Sequence, residues 1–278
     1  MNDTVSLLAL AVGGRGLVDP QESVLRADDE ALLRGRAAFE TIRVYGGRPF
    51  KLAEHLARLA GSAERIGLPD VNRLELEELA GQALAAAGVP DCVLRLYWTP
   101  TPVALALVSA LPEHHDELRA RGQRLISLRG LRADEPWLLP GVKSTSYAVN
   151  MAAEAEARRR GADDAVFVDR DAIVLEGPTT NVWWRRERTL YTPSLDLGIL
   201  AGVTRAAMLE LADGAGYAVE DGHYGLTELL AAEEAFTTST VREVMPVTEL
   251  DGAAISRGPA ADELQAALRR AAGATLSP

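Results

Sequence analysis

One stretch constrains the fold more than any other. "AFETIRVYGGRPFKL" (38–52) alternates apolar and polar side chains about Gly46-Gly47, the pattern of a β-hairpin. It passes without a linker into "LAEHLARLAGSAERIGLP" (52–69), where Leu52, Leu56, Leu59, Ala63 and Ile66 recur at helical spacing before Gly67 and Pro69. A period of two giving way at once to a period near 3.6 requires an amphipathic helix laid on a half-buried sheet. The same ingredients recur nearby. "VSLLALAV" from Val5, "CVLRLYW" and "VALALVS" read as strands, the last two parted by the turn former "TPTP", and 72–87 reads as a second helix.

The later chain mixes strands and helices without a strict βαβ rhythm. "QRLISL" is a strand, followed by an irregular segment to Gly141 and a helix over 148–160. "DDAVFVDRDAIVLEG" is a hairpin turning at Arg170-Asp171, and "NVWWRRERTLYTP" is another. A helix over 203–214 and a strand-rich tail, "EEAFTTSTVREVMPV", complete the pattern. The expectation is an α+β protein of two subdomains: 1–112, a polar connector at 113–122, and 123–278.

Composition narrows the function. A formal net charge of −11 and no basic stripe interleaved with aromatics exclude a phosphate-backbone partner. Arg158, Arg159 and Arg160 fit the positively charged end of a helix. Cys92 is the sole cysteine, within an apolar run, so it is expected in a core and no disulfide framework exists. The four histidines lack metal-ligand spacing, and no metal is expected. The apolar start lacks a basic n-region and is too short to span a bilayer, so a soluble cytoplasmic protein without membrane partners is expected.

Four features of the C-terminal half complement one another: Lys143 in "GVKSTSYAVN", Glu176 in "LEGPTTN", "LAGVTR" at 200–205, and "FTTST" at 236–240. Each alone admits a plain role, as a solvated lysine, a strand-end carboxylate, a capped helix start or a hydroxyl-rich turn. Together they offer more. A lysine can form a Schiff base with an aldehyde. A carboxylate can keep a pyridine nitrogen protonated, and a helix entered through Gly-Val-Thr, with hydroxyls nearby, suits a phosphate. These are the requirements of pyridoxal 5′-phosphate.

With these motifs in this order, the chain resembles the class-IV aminotransferase group of fold-type IV pyridoxal-phosphate enzymes. That group includes branched-chain and D-amino-acid aminotransferases, (R)-amine transaminases and aminodeoxychorismate lyases. The resemblance runs from "RGRAAFETIRVYGGRPFKLAEHLARL" at Arg34 to "EAFTTSTVREVMPVTELDG" at Gly252. It implies a cofactor between two domains, with Lys143 as the Schiff-base lysine and Glu176 as the partner of the pyridine nitrogen. Arg58 in "EHLARL" would meet the phosphate, with Val203 and Thr204 through backbone N–H groups and Thr240 and Ser239 through hydroxyls. Tyr147 would face the cofactor's ring oxygen, Asn181 would shape the loop beneath the ring, and Asn150 would support the region. The group's members commonly pair as homodimers.

The same resemblance leaves the reaction open. An aminotransferase passes an amino group from an amino donor to a keto acid; a lyase releases pyruvate from aminodeoxychorismate. Substrate residues are expected in the N-terminal half. Arg36 is a candidate for gripping a carboxylate, which points toward a small amino acid, with a D-configured one among the options. Phe39 stands where several members carry tyrosine, so a hydroxyl contact is lost. Arg95 is either a substrate contact or a ladder residue. "TPTP" lacks the Arg-Gly or Arg-x-His features of well-studied lyases and D-amino-acid enzymes, whereas "KSTSYAVNMAA" looks more like the lyases. A transaminase is the preferred reading, a lyase the alternative, and a non-catalytic cofactor-binding scaffold a third.

Overall fold

In the computed structural model, which describes residues 6–101, 103–130, 137 and 139–273, the chain divides into two units. The first comprises residues up to Glu113 together with Val142–Tyr147. It contains β1 (Leu7–Val12), β2 (Gly16–Val18), α1 (Glu30–Arg34), β3 (Ala38–Tyr45), β4 (Arg48–Pro49), α2 (Leu52–Arg65), α3 (Arg73–Ala87), β5 (Cys92–Trp98) and β6 (Ala104–Ser109). The six strands form an antiparallel sheet in the order β2-β1-β6-β5-β3-β4.

Alternation does what the sequence requires. Ile42 and Val44 of β3, Leu94 and Leu96 of β5, and Ala106 and Val108 of β6 face one side. There they bury against Leu56 and Leu59 of α2 and Leu76 and Leu79 of α3. Cys92 lies in this core, and burial pushes its thiol up to about 11, which makes it a packing residue. Asn72 caps α3 by accepting the Glu75 N–H, and Gly88 ends that helix in the left-handed conformation.

The second unit holds α4 (His115–Arg121), β7 (Gln123–Arg129), α5 (Ala148–Arg159), β8 (Asp164–Val168), β9 (Asn181–Arg186), β10 (Thr189–Pro193), α6 (Val203–Ala212), β11 (Ala218–Gly222), α7 (Leu226–Leu230), β12 (Glu234–Ser239), β13 (Glu243–Leu250), β14 (Ala253–Ala254) and α8 (Pro259–Ala271). The sheet order is β11-β10-β9-β12-β13-β7-β8, with β14 on β13. Its β10–β11, β13–β7 and β7–β8 joints are parallel. Both faces are covered, so Val182, Trp183 and Trp184 are all buried in succession. Trp183 stacks on Phe236 and donates from its indole N–H to Thr238 Oγ1 (3.0 Å).

The predicted elements are joined by short ones that were not expected, among them β2, β11, α7 and β14, and four further differences bear on the site. The connector at 113–122 is largely the helix α4, and it belongs to the second unit. A helix, α8, follows the strand-rich tail; its apolar stripe Ala260, Ala261, Leu264 and Leu268 is buried. The short α1, capped by Asp29, interrupts the approach to β3. Most consequential, Val142–Tyr147 groups with the first unit and not with the C-terminal half. The strand start expected at Val5 and the irregular stretch at 131–136 and 138 lie outside the described residues.

Candidate active site

Lys143 is seated by backbone bonds to β3 and α2. Phe39 donates its N–H to Lys143 O (3.2 Å), Thr145 donates to Ala37 O (2.9 Å), and Lys143 donates its own N–H to Ser62 Oγ (3.1 Å). Residue 144 makes a bridge with Ala38, so this short segment acts as one more rung beside β3. The Lys143 ammonium stands 4.2 Å from the centre of the Phe39 ring and 5.7 Å from that of Tyr147. Tyr147 meets Phe39 edge-on, and Phe39 stacks on Tyr97. Lys143, Tyr147 and Phe39, expected in separate roles, therefore form one aromatic-walled cluster around an amine.

Behind Phe39, on the helix side of the sheet, lies a buried charged group that the sequence reading missed. Glu40 is fully buried. It accepts from Arg58 Nε and Nη2 (2.7 Å each) and pairs with His55 Nδ1 (2.7 Å). Burial alone would raise the Glu40 carboxyl, but the Arg58 and His55 hydrogen bonds hold it down at about 2. Burial dominates at His55, whose pKa is lowered, so the imidazole is neutral and its Nδ1–H donates. A signal was available. Glu40 shares the inward parity of Ile42 and Val44, and His55 and Arg58 stand three apart on one helix face.

Both shifts are downward, so both groups stabilise the fold at higher pH. The Glu40 contribution is complete above 4.5, its ordinary value, and is lost as pH falls toward about 2. Acid titration of stability should show a loss on the order of 3 kcal/mol across that window. Glu40→Gln should flatten this limb; an unchanged slope would assign it to other carboxylates.

Arg36, expected to grip a substrate carboxylate, is held by the end of α2 and by α1. It donates from Nε to Ile66 O (3.1 Å) and from Nη2 to Gly67 O (2.6 Å), and Nη1 pairs with Glu30 (2.5 Å). Nε and Nη2 are engaged where α2 ends, because the last turn of a helix leaves carbonyls without partners, and Nη1 reaches α1. Arg95 and Arg43, by contrast, lie on the sheet face turned away from α2 and α3. Arg95 is opposite Thr41, Arg43 is two residues further along β3, and Arg95 Nη1 donates to Ser109 Oγ (2.8 Å). Arg43 was not singled out from sequence; its matching parity with Phe39 was the available clue.

The second unit assembles the acid and the anion cup. Glu176 follows the hairpin of β8 and is buried. Its Oε2 accepts the Leu200 N–H (3.0 Å) and the Asn181 side-chain amide (3.4 Å), and that amide also donates to Leu200 O (3.1 Å). The turn between Gly177 and Thr180 brings Asn181 back to Glu176, and Asn150 ties α5 to that turn by donating to Pro178 O. Gly202, the residue before α6, admits no Cβ, because Asn181 Oδ1 and Arg205 Cβ occupy the space. α6 begins without a side-chain cap, which leaves the N–H groups of Val203 and Thr204 for an external acceptor.

Two further features suit an anion there. Arg205, in the first turn of α6, is 4% exposed, and its Nε has no hydrogen-bond partner among the described residues. Burial lowers its pKa, although its Nη2 donates to Pro193 O (3.1 Å) and meets the Asp221 carboxylate (3.5 Å). Asn181 is paired with Thr238 of β12. Two residues beyond it, the tight turn at 240–242 is closed by Arg242 donating its N–H to Ser239 Oγ (3.3 Å). Thr240 stands in that turn, as expected. Within this unit an uncapped helix start, a hydroxyl turn and a buried carboxylate suit the phosphate and pyridine nitrogen of pyridoxal phosphate, as the Lys143 amine of the first unit suits its aldehyde. Among the described residues there is no cluster of His, Cys, Asp and Glu suited to a metal, and no helix is long and apolar enough to cross a membrane.

Comparison with known proteins agrees. The family model for amino-transferase class IV matches residues 37–250. The bifunctional aminodeoxychorismate lyase / D-amino acid transaminase of Mycobacterium tuberculosis is 34% identical over 267 residues, spanning 88% of this chain and 92% of its own. A hypothetical aminotransferase from Mycobacterium tuberculosis, solved in its PLP-bound form, superposes with a TM-score of 0.88 at 32% identity. That match covers 95% of this chain and 98% of the solved one. A fold IV transaminase from Curtobacterium pusillum gives 0.83 at 35% identity, covering 92% and 91%. The chain has the α+β fold of fold-type IV enzymes and belongs to the class IV aminotransferase family, whose cofactor is pyridoxal phosphate.

Proposed function

We propose that the protein is a transaminase that moves an amino group from a small amino acid to a 2-oxo acid. The observation that carries this reading is the seat of Lys143, an amine locked at its backbone and walled by Phe39 and Tyr147. When bound, pyridoxal phosphate supplies an aldehyde for covalent attachment and a ring that accepts the electrons of a carbanion. Lys143 Nζ is the anchor for that aldehyde. As a free amine, Lys143 Nζ would serve as the general base that takes the proton from the substrate α-carbon and then gives it back as an acid. Glu176 holds a proton on the pyridine nitrogen, and its fixed orientation by Leu200 and Asn181 avoids reorganisation during the reaction. In the first unit Arg58 would meet the phosphate and Tyr147 the ring oxygen; in the second, Val203, Thr204, Ser239 and Thr240 would offer the phosphate their N–H and hydroxyl donors.

Substrate carboxylates fall to Arg95 and Arg43, whose shared face favours a dicarboxylic acceptor such as 2-oxoglutarate. Without Arg36, the case for a D-configured donor rests on the named activity of the Mycobacterium tuberculosis relative. We further propose a homodimer and a cytoplasmic setting, to be checked by light scattering and by fractionation.

The aromatic wall of Phe39, Tyr97 and Tyr147 also suits a cyclohexadiene ring, which keeps the lyase as the second reading. Purified enzyme given D-alanine or a branched-chain L-amino acid with 2-oxoglutarate should form glutamate catalytically. Sustained release of pyruvate from aminodeoxychorismate without any keto acid would replace the transaminase reading with the lyase.

A further inference from the structure

We propose that Glu40 is a positioning residue for the cofactor phosphate: it fixes the guanidinium of Arg58, with His55 completing the hold. The inference rests on the reading that Arg58 meets the phosphate. A carboxylate on the apolar face of β3 is costly to bury unless its lone pairs are satisfied. Here Oε1 and Oε2 each accept one Arg58 donor, and Oε2 also accepts His55 Nδ1–H. The two-point contact sets the plane as well as the place of a guanidinium that is itself only 14% exposed. A long side chain on a helix surface would otherwise spread over several rotamers.

The arrangement reaches the lysine too. Phe39, one residue earlier in β3, receives Lys143 on the opposite face through its N–H and its ring. Alternation along a strand sends neighbouring side chains to opposite faces. The dipeptide Phe39-Glu40 thus locates the covalent anchor by one residue and the phosphate arginine by the next. A rigid register of β3 against β5 sets the two anchors relative to each other within this unit.

Charge alone predicts the reverse effect on mutation, and that makes the idea testable. Glu40→Gln removes a negative charge beside Arg58, so simple electrostatics would tighten phosphate binding. Positioning predicts weakening. The experiment titrates the cofactor-depleted full-length enzyme with pyridoxal 5′-phosphate and, separately, with pyridoxal, which lacks the phosphate. Arg58→Ala should weaken the phosphorylated ligand by about 100-fold or more and pyridoxal by no more than about threefold. E40Q should weaken the phosphorylated ligand about tenfold and leave pyridoxal within about twofold. E40D, with a shorter reach, should do the same. The E40Q/R58A double variant should match R58A within about twofold, because the two residues act as one unit.

Tighter or unchanged binding of pyridoxal phosphate to E40Q overturns the proposal, as does equal loss of both ligands. If E40Q and E40D both fail to fold by circular dichroism, the carboxylate is structural and the proposal falls. If R58A itself shows no phosphate-selective loss, the underlying reading of Arg58 fails first, which separates the two outcomes.

Discussion

Lys143→Ala should yield a folded protein whose turnover falls by about 10³-fold or more, since anchor and proton carrier are lost together. Its fold should survive. The backbone bonds of residue 143 to Phe39 and Ser62 do not need the side chain. The lost contact of the ammonium with the Phe39 ring is worth only about 1 kcal/mol. Lys143→Arg retains positive charge but not a nucleophilic amine, so it should be as inactive as alanine. Borohydride treatment of the wild-type holoenzyme should fix the cofactor on the peptide containing Lys143, and on no peptide of the alanine variant. A small exogenous amine should restore part of the proton transfer in the alanine variant. Undiminished turnover, or reduction that labels a different lysine, would remove Lys143 from the mechanism.

Glu176→Gln is the second large effect. Glutamine is nearly isosteric and can still accept the Leu200 N–H, so the loop around Asn181 and Leu200 should keep its shape. It cannot carry the negative charge that retains a proton on the pyridine nitrogen. The proton-abstraction step should slow by about 10²–10³-fold, the size expected for removing one preorganised electrostatic partner. Glu176→Ala should add a stability cost of about 1 kcal/mol, because the part-buried Leu200 N–H then loses its acceptor. Single-turnover rates of α-proton loss from a deuterated donor, compared with melting temperatures, separate the two contributions. Equal rates in the Gln variant and wild type would mean that the acid does not act at the ring.

The legibility of the site followed the range of the forces involved. Residues that announce themselves through local geometry were found in sequence. Gly202 before α6, the Glu176–Asn181 turn and the hydroxyl turn after β12 each depend on a handful of adjacent residues. The partners of Arg36 were not legible because the carbonyls of Ile66 and Gly67 lie thirty or so residues away along the chain. Glu40 went unrecognised for a similar reason. A charged residue on an apolar strand face makes sense only once α2 presents His55 and Arg58 to it.

Sheet topology divides in the same way. The hairpin of β9 with β10 is near in sequence and was foreseen, and the tail holding β12 and β13 was read as strand-rich, whereas the parallel joints of β7 to β8 and to β13 were not foreseen. Parallel partners need a crossover, and nothing local specifies which strand will be met.

By itself, then, the order of residues determined the periods of its strands and helices, and hence the α+β class and the chemical inventory of amine, acid and anion cup. Periodicity and turn chemistry are set within a few residues, so they can be read in line. Only the tertiary structure decided that Lys143 is seated beside β3 in the N-terminal unit, that Arg36 closes a helix, and that a buried carboxylate grips Arg58. Those outcomes depend on which distant backbone or side-chain partner satisfies each polar group once water is excluded, and that choice is made by packing.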